Sequence, residues 1–525
     1  MLIKNGTIVD GNLRKAYRGD IRIRDGMIVA LGDAIHDDDP LVIDAADRIV
    51  APGFIDTHSH SDLRLLIDSK MEPKVRQGIT TEIIGQDGIS MAPLPIGYID
   101  TWRKNIAGLN GESDLIDWKY RNTLGYLNQL ATKKIQTNVG YLAPHGNIRM
   151  EAMGLAKQKA TQAELGRMKD IVRREFESGA LGLSTGLIYV PCAYGDREEL
   201  TALSEVVAEY RKILVVHQRS EADTILESMD EMIDISRKTG VRLHFSHFKI
   251  CGQKNWRQLD KVLDKLDQAI AEGLAITFDQ YPYIAGSTML GVILPPWAHD
   301  GGTDRLLQRL RDSVARKKMA EDIKNGIAGW DNFIDFAGYE GIYITSVKHA
   351  VNETVVGKNL LEIGEIRGKE PLEAAMDLLV EEENAVGMVD FYGKEQHLIQ
   401  ILRRKEGNVC TDGLLSGKPH PRVYGSFPRV LARYVKEQPI LSLEEAVHKM
   451  TFKAAQTFSL SGRGAILEGY HGDLVIFDFD RVRDLGTYQE PAQYPLGIET
   501  VIINGAIVYD GQTVIPAGKG QILKN

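Results

Sequence analysis

Four histidines in this chain stand at or just beyond the ends of apolar runs, where a β-strand would stop and a side chain could meet a metal ion. The run IVAPGFIDTHSHSD ends at His58-Ser59-His60. Residues two apart on a strand point to one face, so both imidazoles can reach the same cation. ILVVHQRSE places His217 and RLHFSHFK places His247 in similar settings. Taken singly, such a histidine is more often a hydrogen-bonded structural residue. Four of them at three strand ends form a pattern, because a parallel barrel gathers its strand ends at a common mouth. Asp412, in GNVCTDG, follows another apolar run. Asp before Gly is commonly a turn former; in this company it is a carboxylate that binds metal and takes a proton from water. The other nine histidines, His36, His299 and His471 among them, read as surface or loop residues.

Residues scattered from 58 to 412 need elements that bring them together. After residue 50 the chain alternates short apolar runs with longer amphipathic segments, the βα grammar of a parallel sheet or barrel. Strand candidates end at Thr57, Ile84, Ala143, Ser184, His217, His247, Asp279 and Asp412, and eight of them suffice to close a (β/α)8, TIM-like barrel over residues 51–465. The gap of about 130 residues between Asp279 and Asp412 is too long for one helical crossover. It predicts a subdomain inserted between the seventh and eighth strands, at about 290–400, with helices in DRLLQRLRDSVARKKMAEDI and PLEAAMDLLVEEE. The first fifty residues and the segment 466–525, which includes KGQILKN, alternate apolar and polar residues between Asn-Gly and Asp-Gly bends. Neither end supplies enough strands alone, so the two are paired into one small β-sandwich.

Bulk properties fit an α/β enzyme and exclude other classes. At 525 residues, 43% hydrophobic and 26% charged, the chain has ample apolar surface for a large domain and an accessory one. A net charge of -9 gives no reason to expect nucleic acid as a partner. Cys192, Cys251 and Cys410 lie far apart and form no CxxC pair, which fits a reducing, cytoplasmic location. No apolar stretch reaches 18 residues and the amino terminus lacks a signal-like core, so no membrane association is expected.

Longer strings carry a resemblance. APGFIDTHSHSD looks like the entry to the amidohydrolase barrel, and GALGLSTGLIYVP, FSHFK, FDQYPYIAGSTML, TDGLLSGKPHPRVYGSFPRVL, AVHKMTFKAAQTF and RGAILEGYHGDLVIFD resemble the N-acyl-D-amino-acid deacylases, or D-aminoacylases, in order and spacing. That resemblance implies metal-dependent hydrolysis of a linear amide in a small N-acyl-D-amino-acid substrate. It also implies a binuclear-type site holding one or two divalent ions, Zn2+ first, with Mn2+ or Co2+ as alternatives. His58, His60 and Asp412 would hold the weaker ion, and His217 and His247 the tighter. The family's bridging ligand after the second strand is usually a cysteine in a Gly-x-Cys-Gly-x-Ser turn; GQDGIS puts Asp87 there. A carboxylate also ligates zinc, so Asp87 joins the ligand set.

The same resemblance gives Asp412 the role of general base and then acid, and Tyr189 that of donor to the tetrahedral oxyanion. Lys249 lies two residues past His247, on the same side of the strand end, and with Tyr281 resembles the pair that holds the substrate α-carboxylate. Arg422, in KPHPRVYG, is a further candidate for substrate binding. Two other readings compete. A cyclic-amide hydrolase of the dihydroorotase or hydantoinase kind would carry a bridging lysine after the fourth strand, where GALGLSTGLIYVP has none. A non-catalytic scaffold would have shed part of the His and Asp set, all of which is present.

Overall fold

A computed structural model describes residues 1–36 and 39–524. The amino-terminal strands are β1 (Leu2–Ile8), β2 (Tyr17–Arg24), β3 (Met27–Gly32), β4 (Val42–Asp44) and β5 (Ile49–Pro52). The parallel strands β6 (Phe54–Asp56), β7 (Ile79–Ile84), β8 (Asn138–Pro144), β9 (Gly182–Gly186), β10 (Ile213–His217), β11 (Arg242–Phe245) and β12 (Ile276–Gln280) follow. Then come β13 (Ala285–Met289), β14 (Ile342–Ser346) and β15 (Gly387–Phe391), and the chain returns to the parallel sheet with β16 (Gly407–Val409). It ends with β17 (Leu474–Phe477), β18 (Ile498–Ile503), β19 (Ala506–Tyr509) and β20 (Ile522–Leu523).

The parallel sheet runs β16-β12-β11-β10-β9-β8-β7-β6 and is nearly a closed eight-stranded barrel. Its seam between β16 and β6 is joined beyond the strand ends, where the Asp412 N–H donates to the His58 carbonyl at 2.8 Å and Ser59 bridges Gly413. A buried cation reinforces that seam from below. Lys74 Nζ donates to Asp56 at 2.6 Å, Ser59 at 2.9 Å and Thr411 at 2.7 Å. Glu82 accepts from Ser59, Ser61 and Thr137, so the polar groups behind the His-x-His turn satisfy one another.

Helices coat the barrel because their apolar positions recur at helical spacing. In the helix Gln162–Glu177, Leu165, Met168, Val172 and Phe176 form one stripe buried against the strands, and Thr161 and Glu164 close its start in a capping box. Each fully buried Leu or Phe of this kind contributes about 1.5 to 3 kcal/mol.

Both ends of the chain build one eight-stranded sheet, ordered β19-β18-β17-β5-β1-β2-β3 with β4 on β1. Ile8, Ile21, Ile28 and Val50 from one end share a core with Leu474, Ile476 and Ile502 from the other, the mutual burial expected of a terminal β-sandwich. The opposite face, with Val475, Phe477 and Val501, packs on the barrel. KGQILKN departs from the expected pairing: Ile522 and Leu523 join the barrel, in parallel with Val139 and Gly140 of β8. The physical reason is an open lower edge, since β9 pairs β8 only from Leu142 upward.

Between β12 and β16, β13, β15 and β14 form an antiparallel sheet backed by helices around their own core. DRLLQRLRDSVARKKMAEDI is two helices, Thr303–Arg311 and Ser313–Asn325, because Asp312 stops the first and caps the second.

Candidate metal centre and its cavity

The six expected ligands meet at the mouth of the barrel. His58 and His60 follow β6, Asp87 follows β7, His217 ends β10, His247 follows β11 and Asp412 follows β16. All six are buried. Three of them, Asp87 (φ 56°), His247 (φ 34°) and Asp412 (φ 48°), have left-handed backbone just past a strand, a conformation that aims the side chain across the mouth and is uncommon outside glycine.

Their ligand atoms are spaced for a small cation. His58 Nε2 lies 3.6 Å from both Asp87 Oδ1 and Asp412 Oδ1. His60 Nε2 lies 3.5 Å from Asp87 Oδ2 and 3.3 Å from Asp412 Oδ1, and His247 Nε2 lies 3.7 Å from Asp87 Oδ1. Ligands about 2.1 Å from one tetrahedral centre stand about 3.4 Å apart, so these gaps fit a shared ion better than direct hydrogen bonds. His217 Nδ1 faces His247 Nε2 at 3.0 Å, and with Glu221 these rings form a second candidate ligand group. Both ring nitrogens of His58 and Oδ1 of Asp87 are buried without a hydrogen-bond partner, a state that costs about 1 to 3 kcal/mol per group unless something fills it. The donor set fits a divalent metal. Asp87 faces both the His58–His60 pair and His247, in the place expected of the bridge.

Electrostatics favours a cation as well. Burial works to raise the Asp87 and Asp412 carboxyls, yet the facing histidines, and Arg422 beside Asp412, outweigh it and hold both well below the usual carboxylate range. Burial, helped by the charges of His247 and Lys249 and opposed by Glu221 and Asp87, pulls His217 down to about 4, which leaves its imidazole free to ligate at neutral pH.

Above the ligand cluster lies a cavity lined by residues of the barrel mouth and of the inserted segment. Tyr189, Lys249, Tyr281 and Arg422 all line it. Tyr189 hydroxyl shares a 2.8 Å hydrogen bond with Thr288 of β13, and its ring edges onto His217. The Lys249 ammonium hangs 6.0 Å over the Tyr281 ring, but its charge is already matched by Glu221 at 2.6 Å. Arg422 is fully buried: Nη1 reaches Asp412 Oδ2 at 2.8 Å, Nη2 donates to the Ser287 carbonyl, and the guanidinium stacks on Tyr281.

Several functional groups went unread in the sequence. Glu221 contacts His247 Nδ1 at 3.2 Å and Lys249, and an acid four residues past a strand-end histidine was the signal available. Asp279, read only as a strand end, accepts from the His247 N–H at 2.5 Å and from His244 at 2.9 Å. Four of the nine histidines read as surface or loop residues are buried: His145 on Glu199, His244 on Asp279, His397 edge-on to Trp256, and His420, whose Nδ1 accepts from the Arg422 N–H. Each followed or preceded an apolar run too short to single it out.

A barrel of parallel strands with histidine and aspartate side chains converging at its strand ends defines a metal-dependent hydrolase scaffold. The chain belongs to the amidohydrolase family, whose model matches residues 41–509. It is 30% identical to the D-aminoacylase of Alcaligenes xylosoxydans xylosoxydans over 100% of this chain and 97% of that protein. The N-acyl-D-aspartate deacylase of the same organism is 32% identical, over 99% of this chain and 94% of its own. The crystal structure of N-acyl-D-glutamate deacylase from Bordetella bronchiseptica, complexed with zinc and a phosphonate mimic of the tetrahedral intermediate, superposes with a TM-score of 0.85 at 32% identity, covering 100% of this chain and 99% of that one.

Proposed function

We infer that the protein is a metal-dependent deacylase that hydrolyses the amide bond of N-acyl-D-amino acids. The observation that carries this reading is the convergence of His58, His60, Asp87, His217, His247 and Asp412 beneath one cavity, in a chain similar over its full length to named D-amino-acid deacylases.

Those six side chains would hold one or two divalent ions, zinc first. When bound, such a cation would supply Lewis-acid polarisation of the scissile carbonyl and a lowered pKa for water. Asp412 takes the proton of the attacking water at Oδ1, the oxygen that faces the histidines, and returns it to the leaving amine nitrogen, which yields a carboxylate and a free amino acid. Arg422 grips Oδ2 and fixes the carboxylate plane. The Tyr189 hydroxyl donates to the oxyanion. Lys249 and Tyr281, with the remaining donor capacity of Arg422, receive the substrate α-carboxylate.

The test is a zinc-supplemented assay of N-acetyl-D- and N-acetyl-L-amino acids, their methyl esters, dihydroorotate and hydantoins. Hydrolysis of the free D-acids, with the L-acids, esters and cyclic amides slow or inert, is expected. Preference for a cyclic amide would replace this reading with the hydantoinase one, and full zinc occupancy without turnover of any substrate would favour a scaffold.

A further inference from the structure

The turn that carries Asp87, Gly85-Gln86-Asp87-Gly88, leaves β7, passes over the end of β8 and comes to rest on β9. Contact is close at both neighbours. A Cβ at Gly85 would stand 2.3 Å from the Leu142 carbonyl of β8, and one at Gly88 would stand 2.9 Å from Thr185 Cα of β9. In the other direction, a Cβ at Gly186 of β9 would stand 2.4 Å from the Asp87 carbonyl oxygen. β9 is the fourth barrel strand, and none of the six candidate ligands comes from its end.

Left to itself, this turn would not hold one shape. Gly85 (φ +80°), Asp87 (φ 56°) and Gly88 (φ +70°) are all left-handed, and glycine on both sides of Asp87 gives the backbone wide freedom. A left-handed aspartate persists where its surroundings over-determine it. Ser184, fully buried in β9, supplies that constraint on both sides of Asp87. Its hydroxyl donates to the Gly85 carbonyl at 2.5 Å and accepts from the Gly88 N–H at 3.1 Å. The other polar contacts act on one side at a time. Asp62 accepts from the Gly85 N–H at 3.0 Å, the Gln86 side chain donates to the Thr57 carbonyl at 2.8 Å, and the Cys192 thiol lies 3.6 Å from the Gly88 carbonyl. Ser184 neither lines the cavity nor belongs to the ligand cluster, so any effect it has on a metal passes through Asp87.

Resting on the metal-dependent deacylase reading, we propose that Ser184 is a positioning residue for the metal centre: its hydroxyl holds the turn so that the Asp87 carboxylate stands between the His58–His60 pair and His247. The fourth strand thus gives no ligand of its own and sets metal affinity through the ligand of the second.

Zinc affinity of the metal-free protein tests this without any need for turnover, by competition with a chromophoric chelator well below the melting temperature. Ser184→Ala should weaken binding at least about tenfold, as loss of a group that orients a ligand does. A double-mutant cycle separates positioning from plain stabilisation. With Asp87→Ala already in place, Ser184→Ala should weaken binding by less than about twofold more, because the hydroxyl then has no carboxylate to place. A serine that only stabilises the barrel would lower the melting temperature of the metal-free protein and leave zinc affinity alone. Should Ser184→Ala not fold, Ser184→Cys reads the same loss, since a thiol fills the space but hydrogen-bonds weakly. Unchanged affinity in the single variant, or an equal loss with and without Asp87, overturns the proposal. Zinc binding that depends on Ser184 in a protein that hydrolyses no N-acyl-D-amino acid would sink the deacylase reading and leave this role standing, whereas a wild type that binds no zinc sinks both.

Discussion

Asp412 is held by opposing partners, two imidazoles on Oδ1 and a buried guanidinium on Oδ2, and its proposed role depends on the first oxygen only. Asp412→Asn should therefore cut kcat by at least about a hundredfold, the usual worth of a positioned acid–base group, while His217 and His247 keep their metal. Near-normal turnover at saturating zinc would remove Asp412 from proton transfer. The same substitution leaves Arg422 buried without its counter-charge, a loss worth about 3 to 5 kcal/mol, so a lower melting temperature is expected alongside the lost rate. Asp87 carries the sharper test. Its left-handed φ of 56° is what an Asp-Gly turn would show anyway, but its carboxylate facing His58, His60 and His247 is not. Asp87→Ala should lower metal stoichiometry and activity together, and Asp87→Cys should keep a more zinc-selective site, because thiolate is the softer ligand. Unaltered metal content and turnover in Asp87→Ala would return the residue to a plain turn former. At this scale the sequence was readable where chemistry forces residue type: the four histidines, Asp87 and Asp412 do converge. Glu221 was not, since an acid's role depends on which neighbours are already paired, and sequence is silent about that.

Strand ends set where those side chains lie, and close backbone approach sets the strand ends. Gly85 lies between β7 and Asp87 with φ +80°, and a Cβ there would stand 2.3 Å from the Leu142 carbonyl of β8. Gly85→Ala should destabilise the protein by at least about 2 kcal/mol and lower metal affinity, because relief requires moving the turn that carries Asp87. Equal urea midpoints and equal zinc binding would show that the turn is not constrained in this way. The eight barrel strands were visible as apolar runs with ends placed to within three residues, since a strand buried on both faces has a distinctive composition. The break at Asp312 was missed because the apolar stripe continues through it while the cap interrupts only the backbone.

For the whole molecule, metal binding and stability are linked, because the ligands are drawn together only in the folded chain. At free zinc about a hundredfold above Kd the linkage is worth about 2.7 kcal/mol. Spread over 525 residues, that corresponds to a fall of about 2 to 3 °C in Tm on chelation, reversed by adding zinc. Identical melts with and without chelator would argue that no ion resides in the native site. The pairing of the chain's two ends into one sheet was legible from repeated turn grammar, but the strand that leaves it, Ile522–Leu523, was not: two residues carry no periodicity, and only the exposed lower edge of β8 explains them. That pairing has a consequence in time. β5 ends at Pro52, and its partner β17 starts at Leu474. At about 5 to 20 residues per second of synthesis, β5 waits about 20 to 85 seconds on the ribosome for its partner, with its edge unpaired and apolar. Over that interval the apolar edge stays open to other chains, so slower translation of the barrel lengthens its exposure to misassembly.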